Sequence, residues 1–115
     1  MNYFVKGEKL MKKVYLFCSA GMSTSLLASN MQKVANDHNL PVEVKAFPLD
    51  KIDEIYNREH PECILLGPQV KFLLKDTAER YKDKDVAIGV IDRSDYGMMD
   101  GEKVLKAAIK LIKQK

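Results

Sequence analysis

Short apolar runs alternate with segments of helical period four times along this chain, and that alternation limits its possible folds more than any other feature. Residues 13–18 read KVYLFC, 42–47 VEVKAF, 62–66 ECILL and 85–91 DVAIGVI. Runs of this length, rich in β-branched and aromatic residues, predict buried strands. After the first run, Leu27, Met31, Val34 and Ala35 recur on one helical face. That helix stops near Asn39-Leu40-Pro41, because proline cannot continue it. A short second helix is expected with Asp50 as N-cap and Ile52, Ile55 and Tyr56 inward, closed by His60-Pro61. A third follows Gly67-Pro68-Gln69 through Leu73, Leu74, Thr77 and Tyr81. Residues 92–101 read as a polar loop containing Tyr96-Gly97. The last helix, residues 101–113, is expected to start at an Asp100 N-cap and to bury Val104, Leu105, Ala108, Leu111 and Ile112. Four βα units predict a single-domain α/β fold, with a four-stranded parallel sheet, right-handed crossovers and helices on both faces.

The chain's 115 residues suffice for one core without disulfide staples. No apolar run approaches the roughly 18 residues of a spanning helix. Lys6, Glu8 and Lys9 interrupt the N-terminus where a signal peptide would be apolar, so a cytoplasmic location is expected, without membrane insertion. The net charge of +3 comes from the two ends, Lys6, Lys9, Lys12 and Lys13 at one and Lys103, Lys106, Lys110, Lys113 and Lys115 at the other. The second group suits the solvated side of a helix near its C-terminus. A nucleic-acid partner is not expected, since the basic residues lack interleaved aromatics. Residues 1–11 show no period and are expected to form a flexible extension, with the domain spanning 12–115.

In open α/β sheets ligands bind beyond the carboxyl ends of the strands. Cys18, the loop from Ser19 to Thr24, Gly67-Pro68-Gln69 and residues 92–100 all follow strands and share that edge, whereas His38 and His60 belong to the opposite one. Cys63 lies inside a strand and is expected to be a core residue. Cys18 should sit where the first strand meets a helix N-terminus, a place that favours thiolate over thiol. Backbone amides of Ala20, Gly21, Met22, Ser23, Thr24 and Ser25 can form an anion cradle there, with hydroxyls from Ser19, Ser23, Thr24 and Ser25. Spacing alone leaves a second reading open, a serine-rich turn capping a helix over a buried Cys18. No Arg or Lys lies between Cys18 and Lys33, and the position six after Cys18, where C-x5-R phosphatases carry arginine, is Thr24. Without that fixed cation the cradle suits holding a phosphoryl group for transfer more than hydrolysing it. Gln69 is a candidate for the rim, equally a helix N-terminal residue. Asp92 either pins the loop near the site or caps an element. Tyr96 either lines the mouth, meets a partner or packs. Asp100 is read as a cap, and Met22, Met98 and Met99 as adaptable surface on the same edge. Asp92, Asp95 and Asp100 face a cysteine where a Mg²⁺ pocket would want carboxylates, so no metal is expected, and no cofactor.

Residues 14–27, VYLFCSAGMSTSLL, closely resemble the phosphocysteine loop of the IIB components of the bacterial phosphoenolpyruvate-dependent sugar phosphotransferase system, lactose/cellobiose/chitobiose type. Leu65-Leu66-Gly67-Pro68-Gln69 is similar to a second signature of that family, and Tyr96-Gly97 with Asp100-Gly101 and the block from Val104 to Ala108 to a third. The resemblance runs from about Lys12 to the C-terminus. It implies strand order 2-1-3-4. It implies that Cys18 takes phosphate from a IIA phosphohistidine and passes it to a β-disaccharide such as cellobiose, chitobiose or lactose, bound by the membrane component IIC. A monomer docking at the inner membrane face through IIC is expected. The competing readings are a low-molecular-weight phosphatase or arsenate reductase, and a non-catalytic regulatory module.

Overall fold

The computed structural model describes residues 11–19 and 21–115, without the side chains of Gly21 and Met22. Apart from Met11, the expected N-terminal extension lies outside the described residues. Strand β1 (Lys12–Cys18), with five consecutive buried residues, lies between β2 (Val42–Pro48) and β3 (Cys63–Leu66), and β2 and β4 (Ala87–Val90) form the two edges. The order is β2-β1-β3-β4 and every pairing is parallel, as the resemblance implies. Val14 stands opposite Val44 on one side and Cys63 on the other, and Cys63 opposite Ala87.

Strand parity divides the apolar residues between two cores. Val14, Leu16, Cys63 and Leu65 face α1 (Gly21–Asp37) and α5 (Gly101–Gln114), where they meet Leu27, Met31, Ala35, Val104, Leu105 and Ala108. Tyr15, Phe17, Ile64 and Leu66 face α2 (Ile52–Glu59) and α3 (Leu74–Arg80), where Ile52, Ile55, Tyr56 and Tyr81 cover them. The edge of β2 is protected from α1. The Gln32 carboxamide donates to the Val42 carbonyl at 2.9 Å and accepts from the Val44 N–H at 2.8 Å, both turned away from β1.

Four local expectations need correction. Asp50 caps nothing: Pro48 turns the chain at once into a 3-10 turn, Leu49–Lys51, so Asp50 lies inside it and Lys51 takes the cap position of α2 without a side-chain bond. The expected continuous third helix is a 3-10 segment, Pro68–Leu73, kinked at Val70, followed by the shorter α3. The polar stretch 92–101 contains a helix, α4 (Arg93–Gly97), because Asp92 accepts from the Asp95 N–H at 3.1 Å and Tyr96 anchors it in the core. In α5 the buried stripe includes Ile109, while Leu111 and Ile112 are only partly buried. Leu111 covers Gly89 of β4, where its Cδ1 occupies the space a β-carbon would need. Asp100 does cap α5, accepting from the Lys103 N–H at 3.1 Å.

Candidate active site

Parity points the Cys18 side chain to the face shared by Val14 and Leu16, at the last residue of β1, opposite Pro48 of β2. Its accessible surface is 1%. It is nevertheless no part of the sealed core: Cys18 forms the floor of a recess of about 300 Å³ whose other walls are Ser19, Thr24, Ser25, Ala46, Phe47 and Pro48. Ser19, Ser23 and Ser25 are exposed. Apart from the thiol, the lining among the described residues holds hydroxyl and apolar groups and no cation. The turn from β1 into α1 therefore brings Cys18 and three of the seven expected phosphate-loop residues to one concavity. Ala20 lies outside the described residues, and of Gly21 and Met22 only the backbone path is described, so the contacts expected there are not.

Thr24 is 1% exposed and its Oγ1 lies 3.1 Å from the hydroxyl of Tyr96. Tyr96 is thus not at the rim but buried, tying the first turns of α1 to α4. Asp92 is exposed and its carboxylate is engaged at the N-terminus of α4. Gln69 does reach the thiol: the Cys18 S–H donates to Gln69 Oε1 at 3.2 Å. Beside them stands Gly67, where a β-carbon would fall 2.7 Å from Sγ. The sequence marks a glycine at a strand end, but only the register, with Gly67 one step beyond the pair Phe17 and Leu66, shows that it borders the sulfur.

The other titratable candidates fall elsewhere. Cys63 is fully buried, and burial pushes its thiol up to about 12; it remains a neutral apolar residue. His38 and His60 are exposed at the opposite sheet edge. Among the described residues no group of three or more His, Cys, Asp or Glu is placed to hold a metal ion.

A thiol at a strand end, in a hydroxyl-lined concavity with no cation among the described residues of its lining, suits a phosphoryl group that arrives and leaves by transfer. Similar proteins have that business. Residues 13–107 match the family described as PTS system, Lactose/Cellobiose specific IIB subunit. The chain is 43% identical over 104 residues to the cellobiose-specific EIIB component of Lactococcus lactis subsp. lactis, covering 88% of this chain and 96% of that one. It is 42% identical, with the same coverage of 88% and 96%, to the galactose-specific EIIB component of Lactococcus lactis subsp. cremoris. The solution structure of the cellobiose-specific phosphotransferase IIB component from Borrelia burgdorferi superposes with a TM-score of 0.74 at 36% identity, covering 91% of this chain and 94% of that one. The chain belongs to the lactose/cellobiose-specific IIB family of the sugar phosphotransferase system.

Proposed function

We propose that Cys18 is the residue that carries the phosphoryl group between IIA and sugar. The observation that carries this assignment is the thiol on the floor of a concavity at the carboxyl end of β1, among hydroxyls and with no cation among the described residues of the wall. In the first step the thiol gives its proton to water. The thiolate attacks phosphorus in line, the S–P bond forms and the P–N bond of the IIA phosphohistidine breaks. The electron pair stays on the imidazole nitrogen, which is then protonated. In the second step a sugar hydroxyl held by IIC attacks phosphorus, loses its proton, and the S–P bond returns its pair to sulfur. Backbone amides at the start of α1 and the hydroxyls of Ser19, Thr24 and Ser25 neutralise the phosphoryl oxygens. Positioning and electrostatics suffice for such a transfer. A fixed guanidinium would add stabilisation for hydrolysis, so its absence from the recess favours carriage over a phosphatase or arsenate reductase activity.

The domain is residues 12–115, beginning with β1. It works in the cytoplasm, at the inner membrane face where IIC presents the sugar. Among the described residues no helix is long and apolar enough to cross a membrane. Both partners must approach the same sheet edge, and large apolar side chains stand exposed there: Leu26 in α1, Phe72 after β3 and Met98 after α4. The sugar is a β-linked disaccharide of the cellobiose, chitobiose and lactose class. One relative is named for cellobiose and another of nearly equal identity for galactose, which fits a choice made chiefly in IIC.

Incubation with phosphorylated IIA tests the assignment. The expected product bears one phosphoryl group with the acid and base lability of a thiophosphate, and Cys18→Ser takes up none. Normal uptake by Cys18→Ser would remove Cys18 from the mechanism. Growth of a deletion strain on a panel of β-disaccharides tests the sugar class, and unimpaired growth on all of them would refute it.

A further inference from the structure

The contact between Cys18 and Gln69 exists because residue 67 has no side chain. Gly67 adjoins Cys18 across the sheet, and a β-carbon there would lie 2.7 Å from Sγ and 2.9 Å from Gln69 Oε1. It would crowd donor and acceptor alike. Pro68 then begins the 3-10 turn that brings Gln69 back over the sulfur. Gln69 is itself exposed. Its carboxamide therefore joins a thiol of 1% exposure to the surface that partners meet.

A carboxamide presents an acceptor on one side and donors on the other, and a half-turn about its last bond exchanges them. The carbonyl oxygen found near Sγ at 3.2 Å suits a protonated sulfur. It opposes a thiolate or a thiophosphate, which offer only negative charge. Turned over, the same group donates Nε2–H to that charge, and a charge-assisted bond is the stronger of the two. The described residues that line the recess beside Cys18 are Ser19, Thr24, Ser25, Ala46, Phe47 and Pro48, and none of these brings an ionisable side chain to compete for the sulfur. Building on the assignment of Cys18 as phosphoryl carrier, we infer that Gln69 is a positioning residue whose carboxamide inverts with the charge state of Cys18. The carbonyl faces S–H at rest, and Nε2 faces the thiolate or a phosphoryl oxygen once charge is present. The group turned outward inverts as well. A partner approaching the thiol form meets a donor at Gln69, and one approaching the phosphorylated form meets an acceptor. No proton passes through the amide; the thiol proton leaves to water.

The test compares the full-length chain with its Gln69→Met and Gln69→Glu variants. Each is alkylated with iodoacetamide across a pH series, and the Cys18 peptide is quantified by mass spectrometry. Methionine fills the space without a donor, and glutamate keeps the acceptor but cannot turn into a donor. The midpoint of Cys18 alkylation is expected at higher pH in Gln69→Met and higher still in Gln69→Glu. At neutral pH labelling should fall about threefold in the first and about tenfold in the second. A role confined to loop packing would not move these midpoints, and coincident midpoints in variants with unchanged thermal melts overturn the inference. In the ¹⁵N-labelled wild type the Gln69 side-chain amide resonances should shift between the thiol and phosphorylated forms, and resonances that stay in place overturn it too. The alkylation series involves no phosphoryl group. Its failure is thus distinct from failure of the carrier assignment, which rests on phosphate uptake by Cys18→Ser.

Discussion

Thr24 and Tyr96 are 72 positions apart in the chain, yet each supplies the other with a partner for a buried hydroxyl. Tyr96 is 8% exposed, too deep for its hydroxyl to be left unpaired without cost. The pair fixes the start of α1, and with it the loop that lines the Cys18 recess, against α4. Removing either hydroxyl takes this bond away from the other, whereas removing both leaves two apolar groups of similar shape. A double-mutant cycle with Thr24→Val and Tyr96→Phe, read by urea unfolding, is therefore expected to show a coupling of about 0.5–1.5 kcal/mol. Additivity of the two single changes would mean that the hydroxyls do not support each other. Thr24 was legible as the residue standing where an arginine would clamp phosphate. Its bond to Tyr96 was not, because neither residue carries a mark of the other.

Helices α1 and α5 cross with backbone nearly in contact. A β-carbon at Gly101 would lie 2.7 Å from the Asn30 carbonyl carbon and 2.8 Å from both its oxygen and the Met31 nitrogen. All three are backbone atoms, so no rotamer change relieves the clash and one helix must move. Asn30 reinforces the crossing by donating from Nδ2 to the Met99 carbonyl at 3.0 Å, just before the Asp100 cap. Gly101→Ala gains helix propensity of roughly 1 kcal/mol at most, and overpacking of this kind costs about 1–3 kcal/mol. The variant should therefore be less stable in urea unfolding, with the loss borne at the α1–α5 seam. Equal or greater stability would show that the helices part without cost. The periodicity of α5 announced its apolar stripe, but not the glycine's role: a helix N-terminus tolerates glycine for several reasons, and only the crossing point selects this one.

Three buried acids, one thiol and two phenols, respond to alkali in one direction. Burial pushes the Cys63 thiol up to about 12 from an ordinary 9.0. Burial, followed by the hydrogen bond to Glu43, raises the Tyr15 phenol, and burial followed by the bond to Asp53 raises that of Tyr81. In each case the unfolded chain loses its proton first as pH climbs, so the folded state loses stability from the ordinary value upward until the folded group ionises. The unfolding free energy should be flat through neutrality with respect to these groups and decline above about pH 9. Cys63→Ala costs packing at all pH values. It should also make the decline shallower by about 1.4 kcal/mol per pH unit at most, one proton's share. Parallel pH profiles for the two proteins would show that Cys63 ionises equally well folded and unfolded.

Alternating apolar runs and helical periods were enough to determine a parallel α/β sheet, since each strand's buried length and each helix's apolar stripe are local properties of the chain. The stretch VYLFCSAGMSTSLL placed Cys18 at a strand end, which the topology sends to the ligand-binding edge, and its resemblance pointed to the family. Five residues give no period, so the sequence predicts a loop from Asp92 through Tyr96; a cap and one buried ring make a helix there. The partner of the thiol was decided only in three dimensions. Gln69 lies 51 positions from Cys18, and their meeting depends on the register of β1 with β3 and on the bare α-carbon of Gly67, which no local pattern encodes.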